Sequence, residues 1–444
     1  MREKIRGINP LWEDFEKRHK ETPYHVMIGG GDQVYADAVW DECQTLIDWL
    51  NTKGKENRRQ YPWSDSLEQQ VTDFYFNLYC KEWSAPVHKF AMSGIPSINI
   101  MDDHDLFDGY GSYPEVLNRS NVFVNVGRIG ILYYLLFQHH TNFELAAADG
   151  YFGGTEQLKT FNFTRQLGPN TAVVMVDART ERTLDQCVSP ASWSMIEDRL
   201  MNGLAPTTKH LLFVSGVPVI HPRLEFAEGA IGCFGRTKDS LNKFANKLSK
   251  VFPFLKKSIK NAKIALGKTG TFGKLINKFG LPELADDLAD HWAAPNHMAE
   301  RKMMVEMLQR VSKTKSMRVT LIGGDVHCGA MGRFHNLKDQ DSTDFRLMYQ
   351  ITSSAIGNVP PPGPVLSSVN YSAGTTHKLN EDTREEQLKP FQKEATLGKR
   401  NYCVFNGVAG DSLEFAILAE NEEGGPSEPF KLEVPPLLPV ASTA

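Results

Sequence analysis

The chain has 444 residues, 41% of them apolar, with 49 Lys and Arg set against 53 Asp and Glu. This is the make-up of a globular protein with a sizeable core, and nothing in it calls for specific nucleic-acid binding. Six cysteines (Cys43, Cys80, Cys187, Cys233, Cys328, Cys403) stand singly with no CxxC pair, which excludes a disulfide framework and reads as reduced thiols.

The opening 21 residues are charged throughout and predict a helix rather than a secretory leader. "HVMIGGGD" predicts a first strand breaking into Gly29, Gly30 and Gly31, and "PSINIMDDHD" a second. A helical pattern follows over Val122–His140, containing the longest apolar run, "IGILYYLLF", which falls short of the roughly 18 residues a membrane span needs. Next come the strand "TAVVMVDART", a helix over Ser192–Met201 and the strand "HLLFVSGVPV". From Arg236 to Lys278 twelve Lys or Arg accompany a single acid, Asp239, with apolar residues at helical spacing between them. This predicts an inserted basic amphipathic helical segment. A helix over Ala299–Val311 and the strands "RVTLIGGDVHCG" and "FRLMYQITSSAIGN" follow. After Pro360 a long charged loop is expected, then a β-like tail from Tyr402 to Val434. Apolar strands alternating with helices predict an α/β protein whose sheets carry helices on their outer faces.

Three of these strands end in hard ligands. The first delivers Asp32 and Tyr35, the second Asp102, Asp103, His104 and Asp105, and a late one Asp325 and His327. Carboxylates gathered at one sheet edge repel and desolvate one another unless cations sit among them. Carboxylate, imidazole and phenolate donors without thiolate clusters point to Fe, Mn, Zn, Mg or Ca. Tyr35 lies three residues beyond Asp32, so a helical turn after the glycines would aim both side chains one way. The bland alternatives are an Asp32 helix cap, a solvated acidic turn at 102–105 and a core histidine at 327. Arg179 and Arg182 follow the strand "AVVMVD"; they suit bidentate phosphate binding, while Arg179 could equally brace Asp177. No GxSxG elbow or Walker motif offers another nucleophile or phosphate loop.

In order, "GGDQVYAD", "INIMDDHDLFD", "VDARTER" and "GGDVHCG", with the later "LADDLADHWAAPNHMAERKMMVEML", resemble the PhoD-like alkaline phosphatases, a branch of the dinuclear metallophosphatases. The resemblance runs from about His25 to about Asn358. It implies a metallophosphatase-like β-sandwich flanked by helices in four α-β-β-α layers. The whole of 1–444 would then be one domain, including the basic insertion at 225–283 and a β extension at 396–444. It also implies metal binding by Asp32, Tyr35, Asp103, Asp325 and His327, with His104 in the place of the catalytic histidine. The implied centre is di- or multinuclear, Fe3+ with Ca2+ or else Mn2+, Zn2+ or Mg2+. A metal-activated hydroxide would attack a phosphoester, His104 would protonate the leaving oxygen, and Arg179 and Arg182 would bind substrate and neutralise phosphoryl charge. The family's usual early ligand strand has no counterpart before Gly30, so the chain is expected to be a short form. Two other readings follow: a non-catalytic metal-bound scaffold, or a lipid phosphohydrolase drawn to anionic membrane surfaces by the basic insertion. The expected partners are a small phosphoester or a phospholipid, and the expected location is cytoplasmic or peripheral at membranes.

Overall fold

The computed structural model describes residues 10–155, 159–221, 278–279, 290–337, 341–361, 363–373, 376–421 and 426–438. In chain order the main helices are α1 (Pro10–Glu21), α2 (Asp65–Trp83), α3 (Pro86–Gly94), α4 (Asn121–His139), α5 (Pro190–Asn202), α6 (Met298–Lys315) and α7 (Gly363–Ser372). The strands are β1 (Met27–Gly29), β2 (Ser97–Asn99), β3 (Phe152–Gly154), β4 (Lys159–Gln166), β5 (Thr171–Val176), β6 (His210–Ser215), β7 (Arg318–Gly323), β8 (Gly329–His335) and β9 (Met348–Thr352). They continue with β10 (His377–Lys378), β11 (Arg384–Gln387), β12 (Thr396–Leu397), β13 (Asn401–Gly407), β14 (Leu413–Ala419) and β15 (Phe430–Val434).

Side-chain caps set the starts of the long helices. Ser64 Oγ accepts from Leu67 N at α2, Ser120 Oγ from Phe123 N at α4, and Ser189 Oγ from Ser192 N at α5, where Pro190 occupies the first turn. The large sheet runs β10-β11-β8-β9-β7-β6-β5-β4-β3, with β12 beside β8. Its centre, β5, β6, β7 and β9, is parallel. Every residue of β5 and β6 is buried, the signature of a strand covered on both faces. Alternation along them sorts the side chains. Val174, Val176, Leu211 and Phe213 meet Trp193 and Ile196 of α5 and Met304 and Leu308 of α6. Val173, Met175, Leu212 and Val214 face the other way, into a core shared with Phe415 and Ile417 of β14, Ile98 of β2 and Tyr134 of α4. The layer order is therefore helix, sheet, strands, helix. The strand layer opposite the large sheet is divided: β1 and β2 form a parallel pair, while β13, β14 and β15 form a separate antiparallel sheet.

Helices α1, α4, α5 and α6 and the central strands fall where the sequence patterns put them, whereas the 19-residue α2 was not among the expected helices. Two expectations do not hold. The segment after Pro360 is not an uninterrupted loop, because it contains α7, β10, β11 and β12. Its charged strand is buried through pairing: Glu385 meets the buried Arg301 at 2.8 Å, and Glu386 meets Arg333 at 2.8 Å. Nor does a helical turn join Asp32 to Tyr35; the chain bends there and becomes helical only at Val39. The basic insertion at 225–283 lies outside the described residues except for Lys278 and Phe279. Phe279 is packed edge-on against Trp40, Tyr113 and Phe123, with ring centroids 5.0, 5.0 and 4.9 Å away. Among the described residues no helix is long and apolar enough to cross a membrane.

Burial gives one stability consequence. His139, at the end of α4, pairs through Nδ1 with the Tyr151 hydroxyl at 2.7 Å. Burial first, and then the charge of Arg165, lowers its pKa to about 3. The folded state therefore keeps His139 neutral while the unfolded chain takes up a proton below the ordinary histidine pKa of about 6.5. Its stabilising contribution is complete above that value and is lost as pH falls towards 3, at up to about 1.4 kcal/mol per pH unit. Thermal unfolding followed from pH 7 to pH 4 should show a shallower decline for His139→Gln than for the parent protein, and parallel curves would disprove the assignment.

Candidate metal centre

Strand ends from both β layers converge on one point. β1 leads into Asp32, β2 into Asp102, Asp103 and His104, and β7 into Asp325 and His327, as expected where ligands collect beyond carboxyl ends of strands. Carboxylate oxygens of Asp32, Asp102, Asp103 and Asp325 all lie within 4.8 Å of one another, and Asp32 and Asp103 form a second such group with a His104 nitrogen. Tyr35 Oη is 3.0 Å from His327 Nε2, and the Tyr35 ring lies 4.4 Å from that of His104. The structure thus gathers Asp32, Tyr35, Asp103, His104, Asp325 and His327 although they span almost three hundred positions.

The local backbone is built for this. Asp32, Asp325 and His327 all adopt left-handed conformations, with φ of 58°, 63° and 52°. Such geometry is costly for most residues, is tolerated best by Asp, Asn and His, and concentrates at functional sites. Two glycines permit the close approach. Gly31 has φ of 110°, and a Cβ there would sit 2.5 Å from Asp102 Cβ; at Gly216, beyond β6, it would meet Asp102 Cγ at 2.5 Å. Asp105 fastens the loops instead of facing the cluster. It accepts from the backbone N–H groups of Asp32 (2.9 Å), Val34 (3.1 Å) and Asp102 (3.0 Å), and from Gln138 Nε2 (3.1 Å).

The electrostatics are those of a site short of positive charge. Burial, partly opposed by His104 and reinforced by Asp103, Asp102 and Asp325, holds the Asp32 carboxyl well above its ordinary pKa. Burial, then Asp102 and Asp103, does the same to Asp325. Asp102 rises to about 6, again through burial, with Arg179 pulling the other way. Asp32 Oδ1 and Asp102 Oδ2 are buried and accept no hydrogen bond, while Asp103 Oδ1 is met by the Arg179 guanidinium at 3.3 Å. Orphaned carboxylate oxygens facing one another are what a hard cation would satisfy, so the donor set fits a metal centre.

His104 is held from behind by Asp37, whose carboxylate oxygens lie 2.9 and 3.0 Å from Nδ1. Burial alone would lower its pKa, but the carboxylates of Asp37, Asp103 and Asp32 override that and raise it well above the usual value. For His327, burial and then the neighbouring His104 charge lower the pKa to about 4.

The two arginines are buried among acids. Arg179 is 0% exposed and Arg182 4%. The Arg179 guanidinium pairs with Asp102, with Asp290 at 2.6 Å and with Asp103 at 3.3 Å. Arg182 meets Asp290 at 2.8 Å and Ser112 Oγ at 2.9 Å. Both guanidinium groups lie against buried acids, and the side-chain partners of Arg179 are Asp102, Asp103 and Asp290 rather than Asp177. Asp37 and Asp290, which matter most to His104 and Arg179, were not among the sequence candidates. Both lie within quoted motifs, Asp37 closing "GGDQVYAD" and Asp290 inside "LADDLADHW", but their partners His104 and Arg179 are distant in sequence.

A carboxylate and histidine cluster at strand ends, set between two β layers with helices outside, defines the metallophosphatase-type fold. Comparison with known proteins agrees. A model of PhoD-related phosphatases matches residues 1–407, and the chain belongs to that family. It is 31% identical over 446 residues to an uncharacterized protein of Saccharomyces cerevisiae, covering 89% of this chain but 60% of that protein's length. A solved structure of PhoD superposes with a TM-score of 0.54 at 12% identity, covering 98% of this chain and 70% of the other. A purple acid phosphatase from yellow lupin seeds matches with a TM-score of 0.39 at 9% identity, covering 95% and 48%.

Proposed function

We propose that the protein is a metal-dependent phosphoester hydrolase. The observation that carries this reading is the pair of orphaned carboxylate oxygens on Asp32 and Asp102 beside Asp103 and Asp325. Asp32, Asp102, Asp103 and Asp325, with Tyr35 and His327 at one side, would hold the cations. Bound there, cations would neutralise phosphoryl charge and activate a water for in-line attack. His104 has the partner of a general acid: the Asp37 carboxylate holds its Nδ1 and favours the protonated ring, and Nε2 is left to donate to a leaving oxygen. Arg179 and Arg182 position the carboxylates and do not contact substrate. A small phosphomonoester, a phosphodiester or a phospholipid headgroup would present the same group to such a site.

The test is metal analysis of the purified protein, coupled to assays with p-nitrophenyl phosphate and bis-p-nitrophenyl phosphate, before and after exhaustive EDTA treatment. Hydrolysis that disappears with chelator and returns with one of Fe, Mn, Zn, Ca or Mg is expected. Full turnover in metal-stripped protein would overturn the mechanism. Metal content without turnover on any ester would replace it with the scaffold reading.

A further inference from the structure

The loop that carries Asp37 and the loop that carries His104 are laced together. Ala36 N donates to His104 O at 2.8 Å. The Asp37 carboxylate holds His104 Nδ1 at 2.9 Å and also accepts from Asp108 N at 2.8 Å. Asp108 O accepts in turn from the Tyr113 hydroxyl at 2.9 Å. Neither loop belongs to a long element: the first is helical only over Val39–Glu42 and the second only over Asp103–Leu106. Single turns of this kind have little stability of their own, so tertiary packing must fix them.

That packing converges on one side chain distant in sequence. Trp40, three residues beyond Asp37, and Tyr113, on the His104 loop, each meet the Phe279 ring edge-on with centroids 5.0 Å away, and Phe123 of α4 meets it at 4.9 Å. Phe107, three residues beyond His104, closes the cluster against Trp40 at 5.0 Å and Phe123 at 5.1 Å. All five rings are buried. Phe279 is therefore wedged between the two loops, touching a ring from each and the helix behind them. Edge-to-face pairs of this kind fix ring orientation as well as burying area. Its neighbour Lys278 pairs with Asp41, but both groups are partly exposed and such a pair contributes little.

We infer that Phe279 is a positioning residue for the proposed reaction: its ring sets the spacing of the Asp37 and His104 loops, and through them the direction in which His104 Nε2 points. It acts through Trp40 and Tyr113, which carry its position to the two loops. Removing the ring leaves a void that the neighbouring rings fill only in part. A displacement of roughly 1 Å in a catalytic group costs on the order of a hundredfold in rate. A general acid matters most where the leaving oxygen is poor, so the loss falls unevenly on different esters. The kinetic consequence rests on the general-acid reading of His104; the lacing of the loops does not.

The test compares Phe279→Ala, Phe279→Leu and Lys278→Ala with a control, Met304→Ala, which opens the separate core between the large sheet and α6. Hydrolysis of phenyl phosphate and of p-nitrophenyl phosphate is measured for each, together with amide hydrogen exchange at Asp108. Phe279→Ala should lower kcat for phenyl phosphate at least about tenfold more than for p-nitrophenyl phosphate, with KM unchanged. It should also speed Asp108 exchange at least about tenfold. Phe279→Leu fills the socket without a ring edge and should show the same pattern at reduced size, which carries the test if Phe279→Ala does not fold. Lys278→Ala and Met304→Ala should keep the parent's ratio of the two rates and its Asp108 exchange. In a His104→Gln background, Phe279→Ala should cost no further selectivity, because both changes act through one group. Equal losses on the two esters, the same change of ratio in Met304→Ala, or a second loss in the double variant would overturn the positioning role. If the parent hydrolyses neither ester, the phosphatase reading falls and Asp108 exchange alone decides: protection left intact by both Phe279 variants overturns the anchor as well.

Discussion

Asp325→Asn is expected to lower chelator-sensitive hydrolysis of an aryl phosphate by at least about 10³-fold, or ~4 kcal/mol of transition-state stabilisation. The same change should leave the metal-free protein as stable as before or more so. Both expectations have one cause. The Asp325 carboxylate is enclosed with those of Asp32, Asp102 and Asp103, and burial with their repulsion pushes its pKa well up. The ionised carboxylate is therefore costly in the folded chain, a cost which a bound cation would offset. Asparagine preserves the shape, accommodates the left-handed backbone at φ 63°, and deletes the charge. Metal content should drop in parallel with turnover, while the apo thermal midpoint moves the other way. A variant that binds as much metal as the parent and turns over normally would remove Asp325 from the centre.

Arg179→Ala should be the most destabilising single change near the site, at about 3–5 kcal/mol, because it strands buried carboxylates without their counter-ion. The guanidinium contacts Asp102, Asp103 and Asp290, and no part of it is exposed. Arg179→Lys keeps the charge but loses the planar fork and cannot span three carboxylates, so an intermediate loss is expected. Chemical denaturation of both variants measures this directly, and steady-state kinetics separates it from the alternative. If Arg179 were a substrate clamp, KM would rise while the unfolding midpoint stayed put. That pairing of results would refute the bracing role.

Much of this site could be read from residue order because it is made at strand ends. "MIGGGD", "INIMDDH" and "LIGGDVH" each place an apolar run directly before an acid, and a parallel arrangement brings such ends together whatever their separation in sequence. The central strands were legible for a similar reason: burial on both faces of β5 and β6 leaves unbroken apolar runs. What stayed hidden is set by tertiary pairing. β11 reads as a solvated loop because its glutamates reveal nothing of Arg301 and Arg333 waiting across the fold. Asp37 and Asp290 are single acids among many, and their importance comes from the His104 and Arg179 groups they meet. Arg179 itself follows a buried strand as a phosphate-binding arginine would, and only the fold reveals the three aspartates it meets. The division of the second β layer leaves no local trace, since β1 and β13 would carry the same residues with or without a strand between them.

The Arg179 and Arg182 pair also bears on the order in which the molecule is assembled. A cluster of aspartates with no positive charge of its own could form only when an ion arrived to collect it. Here two guanidinium groups carried by the polypeptide already bind Asp102, Asp103 and Asp290. The chain brings part of its counter-charge with it out of synthesis, so the strand ends can come together before any ion is captured. Folding therefore need not wait for an ion, and any ion bound later would enter a cradle that already exists.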